Sequence, residues 1–205
     1  MLIPIFRVIA SQFPVDTLTG NVEMGMAVGL VENSAGNVVI RKSDDNAAAN
    51  TAQNVVGIAG DRKRASEAYE WTNRVSDMGD DTSASGLMTV YHGGGEFWFD
   101  VDDGNITTPL NESTIRGPIS SAATITVGGY LYVADSSQSN EESGQFHNSE
   151  STAIVRSGEG VPVLQVVSKA SSIESGIPGE YEPGSSVNYP DPSVPRTWVR
   201  ARVLV

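Results

Sequence analysis

Cysteine is absent from this 205-residue sequence, and histidine occurs only twice, at His92 and His147. Without cysteine the chain has no disulfide, no thiolate metal ligand and no cysteine nucleophile. Two histidines also leave little material for a histidine-rich metal site or for most catalytic triads. We therefore expect a protein that is not an enzyme and that carries neither a cofactor nor a metal.

Positive charge is scarce as well. The chain has 13 basic and 25 acidic residues, which gives a net charge of −12 at pH 7. Nucleic-acid binding requires a basic face, and anionic membranes also attract basic segments. No apolar run approaches the roughly 20 residues that span a bilayer, and residues 1–15 lack the basic region and cleavage site of a signal peptide. We expect no nucleic-acid partner and no membrane partner.

Glycine, proline and small polar residues are abundant instead. The chain contains 21 glycines and 10 prolines, and only 19% of its residues are charged. Many turn residues between short apolar runs are typical of β-rich proteins. The sequence therefore predicts a mainly β fold, a β-barrel-like or β-sandwich-like domain with long loops, an extended N-terminal arm and at most one short helix. The segment 62–75 is the candidate for that helix.

Period-two alternation locates the strands. It is clearest at 197–205, where Trp198, Arg200 and Arg202 alternate with small apolar residues. A turn is predicted at 33–37, and the strands at 87–91 and 96–101 are expected to pair around the turn His92–Gly95. Further strands are predicted at 24–30, 38–40, 55–60, 125–127, 130–133 and 161–167.

The predicted organisation is an arm over residues 1–20 followed by a single β-rich domain over residues 21–205. Two polar or proline-rich stretches, at about 135–152 and 168–196, are expected to be long loops. Pro4 and Pro14 prevent a stable helix in the arm. Two interpretations of the arm stay open: an ordinary edge strand of its own domain, or a segment that packs against a neighbouring subunit.

Motifs that suggest chemistry each have a simpler explanation. His92–Gly95 matches the glycine-rich segment of an esterase oxyanion hole, but the G-x-S-x-G nucleophile elbow is absent and a glycine-rich turn explains it. The segment Asp100–Asn105 resembles a calcium loop, yet glycine stands at its fifth position and no glutamate at its twelfth. A turn is the simpler interpretation there too.

Paired carboxylates and exposed aromatic rings give two further hypotheses. Asp44–Asp45 and Asp80–Asp81 could serve glycoside hydrolysis, but both pairs lie in polar stretches that indicate solvated loops. Tyr181, Tyr189 and Trp198 could stack on sugar rings, but packing of the proline-rich segment onto the domain is the favoured interpretation of all three.

One succession of strands carries a family resemblance. Glycine-punctuated strands alternate with short valine-rich ones through the segments 25–30, 38–42, 55–59, 127–135, 163–167 and 199–205. This succession resembles the capsid decoration proteins of tailed bacteriophages, also called cement or head-stabilising proteins. The resemblance covers about residues 20–60 and 120–205. The stretch 62–118 has no counterpart in compact members of the family, and the two long loops are larger than those members need.

The resemblance implies a viral structural protein that binds the outer surface of the major capsid protein lattice. Such a protein would be made in the host cytoplasm and located on the capsid exterior of the virion, and it would self-associate, with a trimer favoured and a dimer possible. The arm would contact the capsid through its apolar residues. These capsid-contact candidates are Leu2, Ile3, Ile5, Phe6, Val8, Ile9 and Phe13.

Two other classes remain open. The protein could be a different virion part, such as a tail-tube, neck or head-fibre base protein. It could also be a carbohydrate-binding β-sandwich module or an unrecognised hydrolase.

Overall fold

Eleven β-strands and no α-helix are formed by the residues that the computed structural model describes. These residues are 3–4, 9–16, 19, 22–45, 50–61, 87–101, 118–120, 123–137, 142–148, 161–171 and 197–205. The mainly β fold class is thereby confirmed, and the candidate helix at 62–75 lies outside the described residues. Within the described ranges, no helix is long and apolar enough to cross a membrane.

The strands are short, and all their pairings within the two sheets are antiparallel. They are β1 (Ile3–Pro4), β2 (Ile9–Pro14), β3 (Ala27–Glu32), β4 (Val38–Lys42), β5 (Gly57–Ala59), β6 (Leu87–His92), β7 (Glu96–Asp100), β8 (Tyr130–Val133), β9 (Phe146–His147), β10 (Leu164–Ser171) and β11 (Thr197–Val203).

The first sheet has six strands in the order β1-β7-β11-β10-β8-β9. Its central strand β11 shows the predicted alternation: Val199, Ala201 and Val203 are buried, while Arg200 and Arg202 point to the opposite face. Ile119 forms bridges to both Val101 and Phe146, so it links the end of β7 to the far edge strand β9. The sheet therefore curls around its own apolar face.

Aromatic rings form a continuous row through this core. Phe97 and Phe99 project from β7 with ring centroids 6.3 Å apart, and Phe99 lies 6.2 Å from Phe146 of β9. At the other end of the row, the Phe97 ring lies 5.2 Å from Tyr91, which belongs to the second sheet. The row thus connects β7 to the edge strand β9 and extends to Tyr91 of the second sheet.

The second sheet has five strands in the order β2-β6-β5-β3-β4 and is a half-barrel. Its two edges approach each other where Val15 bridges Ile40 and the Asp16 N–H donates to the Ile40 carbonyl. A second core fills the curve of this sheet. Its buried members are Val22, Met26, Val28, Ile40, Ala59, Met88 and Val90.

Close packing of two strands explains why position 57, within the strand predicted at 55–60, is a glycine. Gly57 lies where β5 packs closely on β6, and a Cβ at this position would clash with the Tyr91 carbonyl oxygen and lie 2.7 Å from Val90 Cγ1. The residue is therefore required by the close approach of two strands, and the strand predicted at 55–60 is confirmed as β5.

The predicted pairing of the strands on either side of His92–Gly95 is wrong. β6 pairs with β2 and β5, whereas β7 pairs with β1 and β11, so the two strands lie in different sheets. Gly93, Gly94 and Gly95 have φ angles of 73°, 106° and 100°, a run of left-handed conformations that other residues rarely adopt. These glycines take the chain from one sheet to the other instead of closing a hairpin.

Strand boundaries also differ from the predictions. Met24 and Gly25 form a turn, so the strand predicted from residue 24 begins only at Ala27. Residues 125–127 form no strand, although Tyr130–Val133 does. The predicted loop at 135–152 contains β9, and β10 continues to Ser171, into the first residues of the loop predicted at 168–196. In each case tertiary pairing decides the boundary rather than local composition.

Truncation of Phe146 to alanine should destabilise the protein severely even though β9 has only two residues. Phe146 is fully buried and contacts the ring of Phe99, so Phe146→Ala should lower the free energy of unfolding by about 3–5 kcal/mol. The matched control is Tyr130→Ala, because the Tyr130 ring is 47% exposed; its cost should be about 0.5 kcal/mol. Chemical denaturation of both variants measures the difference, and equal costs would contradict the buried position of β9.

Candidate interaction surface

The described part of the N-terminal arm supplies one edge strand to each sheet. β1 lies at the edge of the six-stranded sheet, where Ile3 is opposite Trp98 of β7. β2 lies at the edge of the five-stranded sheet and pairs with β6 along its whole length, from Ile9 opposite His92 to Pro14 opposite Leu87. These residues are therefore integrated into the domain that follows them.

The capsid-contact candidates occupy different environments. Phe13 is half-buried and packs against the second core, whereas the side chain of Ile9 is 51% exposed. Ile3 lies on β1 at the register given above. Leu2, Ile5, Phe6 and Val8 lie outside the described residues. Ile9 is thus the candidate whose apolar side chain is seen to face solvent.

The outward face of the six-stranded sheet carries a carboxylate held by two arginines. Arg200 Nε and Nη2 lie 2.9 and 2.7 Å from Glu96 Oε2, and Arg202 Nη2 lies 2.8 Å from Glu96 Oε1. Each arginine therefore binds one oxygen of the same carboxylate. We call these three residues the Glu96 clamp.

The clamp arises from strand register. Arg202 is directly opposite Glu96 across the β7–β11 pair, and Arg200 is the next outward residue along β11. Cross-strand pairs of opposite charge stabilise a sheet. Hydrogen bonds from Arg202 and Arg200, together with their positive charges, lower the pKa of Glu96 even though burial of the carboxyl raises it. The clamp keeps one net positive charge.

A polar row continues from the clamp across the sheet. Gln165 of β10 is opposite Arg202, and Tyr130 of β8 is opposite Gln165. The Arg202 side chain is 55% exposed, and the Tyr130 residue is 47% exposed. The row therefore presents a guanidinium and a phenol ring to solvent on one face of the sheet.

Trp198 lies further along the same outward row, but it is only 2% exposed. Its indole Nε1 is buried, and no acceptor for it is found among the described residues. Because a buried ring offers no face to a pyranose, Trp198 is not a platform for sugar stacking. The other two sugar-stacking candidates, Tyr181 and Tyr189, lie outside the described residues.

The glycine-rich turn does not assemble the chemistry of an oxyanion hole. The Gly93 N–H donates to the Val205 carbonyl, so this backbone donor is already used. His92 Nε2 lies 2.9 Å from Ser11 Oγ, which is a contact between the neighbouring strands β6 and β2. Gly93 lies where the chain passes from one sheet to the other, and His92 contributes to the pairing of β2 with β6.

Asp44 and Asp45 are not the solvated loop residues that their sequence context predicts. Asp44 is fully buried and Asp45 nearly so. The Asp44 carboxylate accepts hydrogen bonds from the Ser136 N–H at 3.2 Å and from the Ser143 hydroxyl at 2.5 Å. These two hydrogen bonds join the end of β4 to the segment between β8 and β9. We call the contact of Asp44 with Ser136 and Ser143 the Asp44 junction. Asp80–Asp81 lie outside the described residues.

At this junction the ammonium of Lys42 interacts with three carboxylates. Burial lowers the pKa of Lys42, and the carboxylates of Glu142, Glu23 and Asp44 oppose that shift. The arrangement provides mutual compensation of buried charges.

In the part of the chain that the structure describes, no group of three or more histidine or acidic residues could hold a metal ion. Of the proposed calcium loop, Asp102 to Asn105 lie outside that part.

The Glu96 clamp and the Asp44 junction were not identified from sequence. The alternation of polar and apolar residues does indicate that three charged side chains lie on the outward faces of their strands: Glu96, Arg200 and Arg202. A contact between them can be inferred only once β7 and β11 are known to be neighbours. Asp44 gives no comparable signal, because its partners lie more than 90 residues away.

Comparison with protein-family models, with curated proteins and with solved structures finds no match to this chain.

Removal of the buried carboxylate at Asp44 should destabilise the fold. Asp44→Ala leaves the Ser136 N–H and the Ser143 hydroxyl without their acceptor, so the free energy of unfolding should fall by about 2–4 kcal/mol. Glu32→Ala removes an exposed carboxylate and is the control, with an expected change of about 0.5 kcal/mol or less. Urea denaturation at neutral pH compares them, and a neutral Asp44→Ala would contradict the junction.

The Glu96 clamp should contribute stability that depends on pH. Because the pKa of Glu96 is lowered from 4.5 in the folded protein, its contribution is fully present above about pH 5 and is lost as pH falls through the folded pKa. Glu96→Gln should therefore have a lower Tm than the unmodified protein at pH 7, and the gap should narrow below pH 4.5. A gap of constant size from pH 7 to pH 3 would contradict this.

Proposed function

We propose that this protein is a structural component of a tailed-phage virion that decorates the capsid by binding the outer surface of the major capsid protein lattice. The observation that carries the proposal is the N-terminal segment, which forms an edge strand of each sheet and leaves the apolar side chain of Ile9 exposed. The mainly β fold and the resemblance of residues 20–60 and 120–205 to decoration proteins support the same function.

Binding of this kind depends on a small apolar surface that is buried at each contact, and on repetition of that contact around the shell. Apolar area removed from water contributes about 25 cal/mol per Å² before the cost of association. Repetition of the contact around a shell adds avidity where copies are linked to one another. A net charge of −12 favours solubility of the free protein. These properties suit a protein that stays soluble before assembly and then binds at many equivalent positions on a capsid lattice.

The Glu96 clamp offers a complementary polar contact. Arg202 is more than half exposed and belongs to a group with one net positive charge, in a chain that is otherwise acidic. An exposed guanidinium held in one orientation is suited to a carboxylate on a partner surface. In this proposal the clamp determines the orientation of the protein on the capsid, and the N-terminal segment provides the apolar contact.

The copy number in purified virions tests the proposal directly. Quantitative mass spectrometry against the major capsid protein should give a ratio near one or a simple fraction of it. A few dozen copies or fewer per particle would instead assign the protein to the neck, the tail or a head-fibre base. Absence from the virion would overturn the structural role altogether.

Deletion of residues 2–8 combined with Ile9→Ser should abolish capsid binding and leave a cooperatively melting domain. The deletion removes five of the seven contact candidates and β1, but it keeps β2 together with Phe13 and Val15, which pack on the second core. A chain with a seven-residue glycine–serine segment in place of 2–8 controls for length. Co-sedimentation with purified capsids measures binding, and binding that survives the deletion would eliminate this segment as the anchor.

A further inference from the structure

The residues that follow β11 connect the exposed side chain of Ile9 to the outward row of the six-stranded sheet. The Gly93 N–H donates to the Val205 carbonyl at 2.7 Å, and a Cβ added to Gly93 would lie 3.0 Å from Ile9 Cδ1. Ile9 therefore lies close to Val205. Leu204 precedes Val205, is 41% exposed, and continues the outward alternation to which Arg202 belongs. Leu204 thus joins Ile9 and Arg202 on the surface of the molecule.

Another apolar side chain is exposed at this end of the sheet. The Leu204 N–H donates to the Val163 carbonyl at 2.9 Å, and Val161, two residues earlier in the chain, is 44% exposed. We call Ile9, Val161 and Leu204 the apolar patch. Single exposed apolar residues are common on protein surfaces, whereas a group of them marks an interaction site.

Arg202 has a second hydrogen-bonding edge next to this patch. Its Nε and Nη2 atoms lie 3.3 and 2.8 Å from the same Glu96 oxygen, and its side chain is 55% exposed. Because a guanidinium is planar and carries donors on all three nitrogens, its Nη1 donors point away from Glu96. We call Arg202, Gln165 and Tyr130 the polar row. All three side chains carry hydrogen-bond donors, so the row suits a group that only accepts, such as a carboxylate.

We propose that the apolar patch and the polar row are two halves of one contact surface, and that its occupant is a region of the major capsid protein with a carboxylate beside apolar side chains. The inference rests on the proposed decoration role. It adds Leu204 and Val161 to the contact and assigns a carboxylate as the group that Arg202 binds. Glu96 is then a positioning residue, because it holds one edge of the guanidinium and so orients the other.

Charge complementarity favours this occupant. The Glu96 clamp keeps one net positive charge on a chain whose total charge is −12, so a carboxylate is attracted here although the chain as a whole repels it. Burial of the apolar patch excludes water from the neighbouring ion pair, and a lower dielectric constant strengthens the attraction. Arginine and tyrosine beside an apolar centre also match the residues that dominate binding energy in protein interfaces.

Leu204→Ser provides the first test. It should weaken binding to purified capsids about tenfold in co-sedimentation, because it removes apolar area that the contact buries. The matched control is Val38→Ser, since Val38 is 56% exposed and lies on β4 of the other sheet. Val38→Ser should leave binding unchanged. Both substitutions change exposed side chains, so the Tm of each variant should stay close to that of the unmodified chain.

Arg202→Lys tests the polar row. A lysine keeps the positive charge beside Glu96, but its single ammonium lacks the two edges with which a guanidinium holds two carboxylates. Capsid binding should weaken about tenfold, whereas the Tm should change little. Lys169→Gln is the control, because Lys169 is exposed and donates to the Ile125 carbonyl, away from the row. It removes a whole positive charge and should nevertheless leave binding unchanged.

Neutralised capsids test the chemistry of the occupant. Treatment of purified capsids with a carbodiimide and glycinamide converts exposed carboxylates into uncharged amides. Binding of the unmodified chain should then fall to about the level of Arg202→Lys on untreated capsids, and the treatment should weaken Arg202→Lys much less. Rising salt should have the same unequal effect on the two proteins, because it screens the ion pair that only the unmodified chain forms.

Separate outcomes overturn the surface and the decoration role. Equal binding by the unmodified chain, Leu204→Ser and Arg202→Lys would overturn the surface alone, and so would binding that does not respond to neutralisation of the capsids. Self-association of the free protein, measured by sedimentation velocity and abolished by both variants, would assign the surface to a second copy instead. An unmodified chain that does not bind capsids at all would overturn the decoration role and this surface with it.

Discussion

The two sheets share an apolar core, to which the five-stranded sheet contributes Ala27, Ile58 and Tyr91, and the contact between Tyr91 and Phe97 lies where the chain passes from one sheet to the other. Tyr91 is near the end of β6 and Phe97 near the start of β7, with their ring centroids 5.2 Å apart. Only the left-handed glycine run separates the two strands in sequence. The chain therefore changes sheet and immediately packs one sheet on the other, and the aromatic row carries this packing through to Phe146.

The strand content could be read from the sequence because alternation reports which face of a strand is buried. β11 is the clearest example, with Val199, Ala201 and Val203 on the core side. Alternation does not report which strand lies next to which, and the expected hairpin between β6 and β7 was wrong for that reason. The φ angles of the three glycines, which decide the path of the chain there, follow from the fold and not from local composition.

Buried polar groups were the least predictable part of the molecule. Asp44 lies in an alanine- and asparagine-rich stretch that indicates exposure, yet Ser136 and Ser143 enclose its carboxylate. The burial of a carboxylate is acceptable only when distant residues supply donors, and no local window contains that information. The Glu96 clamp was partly predictable. The sequence shows residues of opposite charge on two predicted strands, but only the β7–β11 register brings them into contact.

The position of β11 has a consequence for how the protein is made. It is the last strand of the described chain, but it lies inside the six-stranded sheet, between β7 and β10. Its pairing with β7 joins residues about 100 positions apart, and contacts of such long range are slow to form. During synthesis β7 and β10 have no neighbour to connect them until residue 203 has left the ribosome. The six-stranded sheet therefore cannot be completed until β11 has emerged, and its apolar face stays open to non-native contacts until then.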